Sequence, residues 1–356
     1  MGITAHGYAN RSVKGKLGPF TFTRREPRPQ DVVIDIQYCG ICHSDIHFAR
    51  NEWGWTTYPL VPGHEIVGRV RTVGSQVSRF KKGDLVGVGC LVDTCRRCDA
   101  CKKGFEQYCE NGFTGTYGGD DKIGGTPHRK TFGGYSDVIT VDQRFVLRMP
   151  KRLDPAAAAP LLCAGITMYS PLRHWKAGPG KRVGIIGLGG LGHMGVKLAR
   201  AMGARVVMIT TSPEKGRDAK KLGAHAVLLS TNARAMKQAE NSFDLLINTI
   251  PVGHDVDPYM LLLKRDATMV IVGPVEPLKR VNGVNFIFKR RSMAGSLIGG
   301  LPETPQMLDF CGKHRITCDI EKIRIKDVNR AYDRTVKGDV KYRFVIDMAT
   351  LKPGRS

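Results

Sequence analysis

The stretch of sequence that decides the fold is Val183-Gly184-Ile185-Ile186-Gly187-Leu188-Gly189-Gly190-Leu191-Gly192. An apolar strand over 183–186 leads directly into a glycine-rich turn, and a helix is predicted over 191–202. Glycines at such a turn let backbone amides at the helix N-terminus approach a pyrophosphate. In this strand-turn-helix setting, the stretch favours a dinucleotide-binding site over a merely flexible turn. Its candidate contacts are Gly187, Gly189, Gly190, Leu191 and Gly192.

Downstream of this turn, segments typical of strands and helices alternate. Strands are predicted over 206–210, 226–229, 243–248 and 268–272, and a second helix over 213–222. Such alternation indicates a parallel, doubly wound sheet. This part of the chain is therefore predicted to be an α/β cofactor domain.

Upstream of the turn, the sequence pattern is that of strands and turns without intervening helices. Short β-rich pieces at 32–36, 66–70 and 84–88 alternate with glycine- and proline-rich turns, which predicts a small, irregular β barrel. The strand-like run 344–347 is expected to return to this first domain. We therefore predict a β-rich catalytic domain over 1–152, the dinucleotide-binding domain over 153–297, and a return to the catalytic domain over 298–356.

At the end of the second predicted strand of the cofactor domain, an NAD site would place an acidic residue that binds the ribose 2′-hydroxyl. This chain instead has Thr210-Thr211-Ser212 and then Lys215. Hydroxyl donors followed by the cations Lys215 and Arg217, with no carboxylate at the strand end itself, favour a 2′-phosphate and hence NADP(H). The alternative is that Lys215 and Arg217 are ordinary surface residues in the first turn of a helix.

Four cysteines, Cys95, Cys98, Cys101 and Cys109, follow the spacing C-x2-C-x2-C-x7-C. Soft ligands this close in sequence can close a tetrahedron around zinc without help from distant segments. The competing interpretation is an iron-sulfur cluster, but the bacterial ferredoxin pattern has a shorter last spacing and a proline after its last cysteine. In this chain Glu110 follows Cys109. We therefore predict a structural zinc lobe over about 90–110.

A second group of soft ligands, Cys42, His64 and Cys163, is spread over three segments; we call it the catalytic set. Two thiolates and one neutral imidazole leave a zinc ion formally uncharged with one open position, which suits a Lewis acid. Spacing alone is weak support, since a lone Cys or His is most often an ordinary buried residue. We give that interpretation to the remaining cysteines, Cys39, Cys90, Cys311 and Cys318.

The composition limits the partners and the compartment. The formal net charge is +23, but the cations are spread along the chain in runs of at most three, so a nucleic-acid footprint is not expected. The longest apolar stretch, 156–169, is too short to span a bilayer, and no secretory leader opens the chain. The ten cysteines, with their C-x2-C spacing, indicate reduced thiols that bind metal in the cytoplasm rather than disulfides.

With these motifs in place, the chain resembles the zinc-dependent medium-chain alcohol dehydrogenases. The resemblance rests on G-H-E-x2-G-x5-G over 63–74, the four-cysteine lobe, the glycine-rich turn and Asp-Val-Lys-Tyr-Arg-Phe-Val over 339–345. In detail, the chain is similar to the cinnamyl-alcohol-dehydrogenase-like branch, which includes NADPH-dependent aldehyde reductases. The resemblance implies a GroES-like catalytic domain, a Rossmann domain, one catalytic and one structural zinc ion per chain, and commonly a homodimer.

The resemblance also implies roles for single residues. The catalytic set would hold the catalytic zinc, with Glu65 beside the metal and able to replace its water. Ser44 and His47 would pass a proton between the substrate oxygen and solvent. Thr167 would lie near the nicotinamide, and the hydroxyls and Lys215 at the second strand end would lie near the 2′-phosphate.

The expected function is interconversion of aldehydes and primary alcohols by hydride transfer with NADP(H), on hydrophobic aliphatic or aromatic substrates. Two alternatives stay open: a zinc-free quinone reductase on the same fold, and a basic nucleic-acid-binding redox sensor. Neither alternative would use the catalytic set, Ser44 or His47, so we favour the zinc enzyme.

Overall fold

The computed structural model describes residues 2–121, 130–273, 276–279 and 281–352. These residues form two compact units. The chain up to Cys163 and the chain from Gly299 onwards make the first unit, and Ala164–Ile298 makes the second. The domain boundaries drawn from the sequence, 1–152, 153–297 and 298–356, stay predictions.

In chain order, the strands of the described residues are β1 Ile3–Ala9, β2 Gly18–Arg24, β3 Asp31–Gly40, β4 Ile66–Val73, β5 Leu85–Val88, β6 Leu91–Asp93, β7 Thr114–Gly115, β8 Val138–Asp142, β9 Leu147–Arg148, β10 Arg182–Ile186, β11 Arg205–Thr210, β12 Ala226–Leu229, β13 Phe243–Asn248, β14 Leu263–Ile271, β15 Ser292–Gly295, β16 Ile320–Arg324 and β17 Arg343–Asp347.

The α-helices of the described residues are α1 His43–Ala49, α2 Asp99–Lys102, α3 Pro155–Ala158, α4 Ala164–His174, α5 Gly192–Ala201, α6 Pro213–Lys221, α7 Ala233–Gln238, α8 Asp257–Met260, α9 Val284–Ile287, α10 Glu303–His314 and α11 Val328–Val336. Short 3-10 helices cover Glu106–Tyr108, Gln143–Phe145, Ala159–Leu162, Ile325–Asp327 and Met348–Thr350. Within the described ranges, no helix has both the length and the apolar character needed to cross a membrane.

The second unit is built on a six-stranded sheet in the order β12-β11-β10-β13-β14-β15, and its neighbouring strands are all parallel. The central strand β10 is buried from Val183 to Ile186, as expected for a parallel strand with both faces covered. Counted from β10, the strand order is 3-2-1-4-5-6, in which nucleotides bind where the order reverses, beyond the carboxyl ends of the strands. The predicted doubly wound sheet is confirmed.

Apolar burial holds this sheet together. Phe243 on β13, Met260 at the end of α8 and Met269 on β14 are fully buried in one cluster. Each such side chain contributes about 1.5–3 kcal/mol by leaving water. The cluster packs β13 and β14 against α8, and it also includes Ile186 at the carboxyl end of β10.

The first unit is rich in β structure, as predicted. Its main sheet runs β16-β17-β3-β4-β5-β9, with β8 also paired to β3. The register of β3 against β4 shifts twice, between Val33 and Ile34 and between Ile36 and Tyr38. Such irregularities bend a strand and let the sheet curve. The C-terminal strand β17 pairs antiparallel with β3, so the tail returns to this unit as expected.

Candidate zinc and cofactor sites

The four-cysteine lobe brings four sulfur atoms together. The Sγ atoms of Cys95, Cys98, Cys101 and Cys109 lie within 4.8 Å of one another. Cys95 and Cys101 are 3.9 Å apart, and Cys98 and Cys109 are 4.0 Å apart. Two thiolates bound at the usual distance to one tetrahedral zinc are about 3.8 Å apart, so these separations fit the metal. A zinc ion held by four sulfurs has no open position, and its role there is structural.

Backbone amides favour the thiolate form in this lobe. Cys95 Sγ accepts from the backbone N–H of Cys98 at 3.4 Å, and Cys109 Sγ accepts from the N–H of Cys95 at 3.5 Å. Hydrogen bonds from the backbone N–H groups of Arg97 and Cys98 lower the pKa of Cys95 to about 5. Burial raises the pKa of Cys101 in the same lobe to about 12, so the thiolate form is favoured at Cys95 and not at all four sulfurs. The thiolate is the form that binds zinc, and the metal displaces the remaining thiol protons.

The catalytic set converges although its members are far apart in sequence. Cys42 is the N-cap of α1, His64 follows Gly63 at a φ of +104°, and Cys163 follows the 3-10 helix Ala159–Leu162. Together with Glu65, their ligand atoms lie within 4.8 Å of one another, and Cys42 Sγ is 3.9 Å from Cys163 Sγ. All four side chains are buried, and all four belong to the first unit.

Two polar atoms of this cluster test whether it fits a metal. His64 Nε2 and Glu65 Oε2 are buried and have no hydrogen-bond partner among the described residues. Since buried polar atoms are nearly always bonded, two such atoms beside two thiols point to a cation as their partner. Sulfur, nitrogen and carboxylate oxygen are all donors that zinc accepts. The residues therefore fit a zinc ion, while the assignment of each ligand stays a prediction.

The two thiols of the cluster share a hydrogen bond. This bond lowers the pKa of Cys42 well below its usual range and raises the pKa of Cys163 well above it. A divalent cation that binds both sulfur atoms displaces their thiol protons, so that both bind as thiolates.

His64 is oriented through its other ring nitrogen. Nδ1 lies 3.4 Å from Oδ1 of Asp45, a fully buried carboxylate in the first turn of α1. Asp45 also accepts from the backbone N–H of Cys42 at 2.8 Å and of Gly63 at 3.1 Å, and from the Tyr135 hydroxyl at 3.1 Å. A carboxylate on Nδ1 leaves Nε2 as the nitrogen that binds a metal.

Glu65 is held by an ion pair. Its Oε1 is bonded to the guanidinium of Arg343 on β17, and both side chains are buried. A Cβ atom at Gly40 would lie 1.9 Å from Glu65 Oε2, so glycine is required to make room for the carboxylate. Burial raises the pKa of Glu65 to about 8, against the lowering effect of Arg343. The ion pair leaves Oε2 as the atom that can approach a metal.

The two residues of the expected proton relay both lie on α1. Ser44 Oγ is 3.7 Å from Cys42 Sγ. One turn further along, His47 Nδ1 is bonded to the Glu52 carboxylate, and the Trp53 ring stacks on the imidazole with centroids 5.0 Å apart. Because Nδ1 is occupied, Nε2 is the nitrogen that can exchange a proton.

In the second unit, the glycine-rich turn has the geometry that nucleotide binding requires. Gly187 has a φ of +90°, and a Cβ atom at Gly192 would lie 2.0 Å from the Gly187 carbonyl oxygen. Side chains are therefore disfavoured at both positions. A Cβ at Gly189 would meet nothing within 4 Å, so the backbone there is open to a pyrophosphate. Gly190 follows, and Leu191 is the N-cap of α5.

At the end of β11, two of the predicted hydroxyl groups accept hydrogen bonds from the nearby backbone, and the third belongs to an exposed side chain. Thr210 is buried, and its Oγ1 accepts from the Ser212 N–H at 3.2 Å. Ser212 caps α6 by accepting from the Lys215 N–H, also at 3.2 Å. The side chains of Thr211 and Lys215 are exposed, so these two are the most accessible to a 2′-phosphate. Thr167 is buried on α4.

Some residues of the first-unit site escape the sequence analysis. Asp45 was detectable, because it stands three residues after Cys42 in the pattern of a capping box. Tyr135 comes from a distant segment, and no local pattern distinguishes it from other tyrosines. Arg343 belongs to the run 339–345 that carries the family resemblance, but nothing in that run indicates its contact with Glu65. Cys90 lies outside both metal clusters of the described residues, and its role as an ordinary thiol stays a prediction. It is half-buried, and its Sγ donates to the Leu162 carbonyl oxygen at 3.8 Å.

Known proteins share this organisation. Residues 28–151 match the alcohol dehydrogenase GroES-like domain, and residues 190–313 match the zinc-binding dehydrogenase domain. The chain is 56% identical over 344 residues to aldehyde reductase YahK of Escherichia coli K12, covering 96% of this chain and 97% of the relative. It is 51% identical over 350 residues to NADP-dependent alcohol dehydrogenase C 1 of Mycolicibacterium smegmatis, covering 98% and 99%.

A solved structure agrees with these relatives. The cinnamyl alcohol dehydrogenase SbCAD4 of Sorghum bicolor superposes with a TM-score of 0.95 at 45% identity, over 99% of this chain and 100% of that one. The two domain matches, the relatives and the superposition confirm the resemblance, the predicted fold and the predicted enzyme class. This chain therefore belongs to the zinc-binding alcohol dehydrogenases with a GroES-like domain, enzymes that interconvert aldehydes and alcohols.

Proposed function

We propose that the chain is an NADP(H)-dependent aldehyde reductase that also works in reverse as an alcohol dehydrogenase. The main observation in support is that four possible metal-ligand atoms lie close together. Two thiols, an unpartnered imidazole nitrogen and an unpartnered carboxylate oxygen lie within 4.8 Å of one another. We assign the catalytic zinc to Cys42, His64 and Cys163, and a structural zinc to the four-cysteine lobe.

The chain's residues hold and orient the reacting groups. When bound, zinc polarises the substrate carbonyl as a Lewis acid, and NADPH supplies the hydride. Asp45 fixes the ring of His64 so that Nε2 faces the thiols. Arg343 holds Glu65 by one oxygen, and the other oxygen is available as a reserve ligand.

Proton transfer is assigned to α1. In the direction of reduction, Ser44 Oγ donates a proton to the substrate oxygen as the alcohol forms, and His47 restores that proton from solvent. The bond to Glu52 keeps a proton on His47 Nδ1 and leaves Nε2 for the exchange. The His47 side chain is 26% exposed, which gives solvent access to the relay.

The NADP(H) preference is supported by the end of β11 and by a relative that is named NADP-dependent. No carboxylate stands among the residues 210–213, and the exposed Thr211 and Lys215 offer a donor and a cation. We assign the pyrophosphate to the turn from Gly187 to Gly192 and a nicotinamide contact to Thr167.

The substrate class and the compartment follow from separate observations. The similar proteins include an aldehyde reductase and a cinnamyl alcohol dehydrogenase, which supports hydrophobic aliphatic or aromatic aldehydes and primary alcohols as substrates. All ten cysteines are free thiols, which supports a reducing compartment such as the cytoplasm.

A homodimer is proposed from the edge of the second-unit sheet. β15 is the terminal strand of that sheet, and Ile287 and Phe288 just before it are each 78% exposed. Apolar side chains beside an open strand edge are features that a second copy of the chain can cover. Phe288→Glu should shift the protein to a monomer in sedimentation velocity, whereas Val252→Glu, at a residue 52% exposed, should not. A Phe288→Glu protein that sediments as wild type refutes this interface.

The enzymatic proposal is tested by following NADPH oxidation with a panel of aldehydes before and after chelation. Cys163→Ala should keep NADPH binding and lose most turnover, because the cofactor unit is intact while a ligand is lost. Cys311→Ala, at a buried thiol outside both clusters, should keep both properties. Turnover of Cys163→Ala close to wild type, or activity indifferent to chelation, would favour the zinc-free quinone reductase.

A further inference from the structure

Asp45 joins the catalytic cluster to the interior of the first unit. Its fully buried carboxylate is surrounded by donors. Oδ2 accepts from the Cys42 N–H at 2.8 Å and from the Tyr135 hydroxyl at 3.1 Å. Oδ1 accepts from the Gly63 N–H at 3.1 Å and lies 3.4 Å from His64 Nδ1. One carboxylate therefore contacts two of the proposed zinc ligands and the residue before one of them.

Tyr135 differs from the other donors because it reaches Asp45 from outside the ligand segments. It lies in the segment that leads into β8, and its side chain is fully buried. A carboxylate only accepts, so the Tyr135 hydroxyl donates to Asp45 and its oxygen accepts from the Tyr332 hydroxyl at 3.4 Å. Burial raises the pKa of Tyr135 well above its usual value, which keeps the hydroxyl protonated as a donor. The hydrogen bonds from Tyr332 through Tyr135 to Asp45 therefore all point the same way.

We propose that Tyr135 is a positioning residue for the catalytic zinc, which acts through Asp45 and is itself held by Tyr332. Its hydroxyl fixes the Asp45 carboxylate, so that His64 keeps its proton on Nδ1 and presents Nε2 to the metal. The inference rests on the proposed zinc site and adds the residue that determines how firmly the metal is held. If Tyr135 served only in packing, removing its hydroxyl while keeping its ring would leave the rate of zinc release unchanged.

Tyr135→Phe separates the two roles because it removes one oxygen and keeps the ring. Zinc-loaded wild type and variant are mixed with a chromogenic chelator, and zinc release is followed in time per chain. The open catalytic site should empty in a faster phase than the closed lobe. We expect the variant to accelerate the fast phase by about threefold to tenfold, which is less than the roughly 10–100-fold cost of losing a direct outer-shell partner, because Tyr135 acts through Asp45. The slow phase and the KM for NADPH should stay unchanged, and kcat should fall.

Two further variants complete the test. Tyr58→Phe is the matched control, because it removes a hydroxyl that donates to the Ala49 carbonyl at 2.9 Å and has no link to Asp45. It should leave the fast phase unchanged. Tyr332→Phe keeps the Tyr135 hydroxyl but removes its donor, and should accelerate the fast phase less than Tyr135→Phe does. If Tyr135→Phe does not fold, Tyr332→Phe alone tests the proposal.

The outcomes distinguish the inference from the proposal beneath it. A fast phase at the wild-type rate in Tyr332→Phe and in any folded Tyr135→Phe overturns the inference, whatever happens to thermal stability. A wild-type protein whose zinc release leaves aldehyde reduction intact overturns the proposed catalytic zinc itself.

Discussion

Lys215 gives the sharpest test of cofactor choice. Its side chain is exposed in the first turn of α6, three residues after the helix cap Ser212. Lys215→Ala removes the charge and keeps a good helix former, so the fold of the second unit should be unaffected. The variant should bind NADPH less well, because the cation that we assign to the 2′-phosphate is lost.

The magnitude follows from the exposure of the lysine. Two unit charges 4 Å apart interact with about 1 kcal/mol in a water-like environment. A phosphate carries nearly two negative charges at neutral pH, so the contact contributes about 2 kcal/mol at low salt. This corresponds to a loss of about 30-fold in kcat/KM for NADPH. NADH lacks the phosphate, and its kcat/KM should change by less than about twofold.

The assay measures kcat/KM for both cofactors at one saturating aldehyde concentration, at low and at high salt. Added salt should shrink the NADPH effect, because exposed charges are screened. Lys221→Ala is the matched control: it lies at the other end of α6, its side chain is 81% exposed, and neither cofactor should be affected. Equal losses for NADPH and NADH in Lys215→Ala, or the same loss in Lys221→Ala, would show that the end of β11 does not bind the phosphate.

Three further predictions concern the structural zinc, stability in acid and the glycine-rich turn. Cys98→Ser should lose about one zinc per chain by elemental analysis and lower Tm, whereas Cys311→Ala should retain all its zinc; full zinc content in Cys98→Ser contradicts the lobe assignment. Burial raises the pKa of Asp31, but hydrogen bonds from two arginines outweigh it and lower the pKa to about 2. Its stabilisation, at most about 2.5 kcal/mol, is present above pH 4 and is lost as the pH falls towards 2. Urea unfolding of Asp31→Asn should therefore differ from wild type at pH 7 and converge with it in acid; a pH-independent difference rules out this ion pair. Gly192→Ala should weaken binding of both cofactors in fluorescence titration, because its Cβ would lie 2.0 Å from the Gly187 carbonyl oxygen; wild-type affinity would mean that the turn tolerates the shift.

The second unit was predictable from the sequence because its pattern is local. Strands that are buried on both faces appear as short apolar runs, and the predicted strand 243–248 coincides with β13. The predicted strand 226–229 coincides with β12, a half-buried edge strand that is apolar as well. The glycines of the turn after β10 mark positions where a side chain would strain the backbone or meet it, and that constraint acts within six residues of sequence. The prediction of the fold therefore needed no knowledge of distant contacts.

The first-unit site was not predictable in this way. Cys42, His64 and Cys163 come from three segments, and only the curved sheet of the first unit and the 3-10 helix before Cys163 bring them together. The family resemblance, not the spacing, supplied these three residues. Tyr135 and Arg343 remained hidden because their importance comes from one hydrogen bond or ion pair made across the fold.

The two metal clusters differ in what holds them together besides metal. The lobe draws its four sulfurs from one short segment, and its internal bonds are mainly from backbone N–H groups to sulfur. The catalytic cluster is tied to the surrounding sheet by the bonds of Asp45 and by the ion pair of Arg343 with Glu65. A lobe without metal loses the crosslink that defines its fold, whereas a catalytic cluster without metal keeps these bonds. Graded chelation should therefore abolish aldehyde reduction before it lowers Tm, because the exchangeable zinc is the one that the protein does not need in order to stay folded.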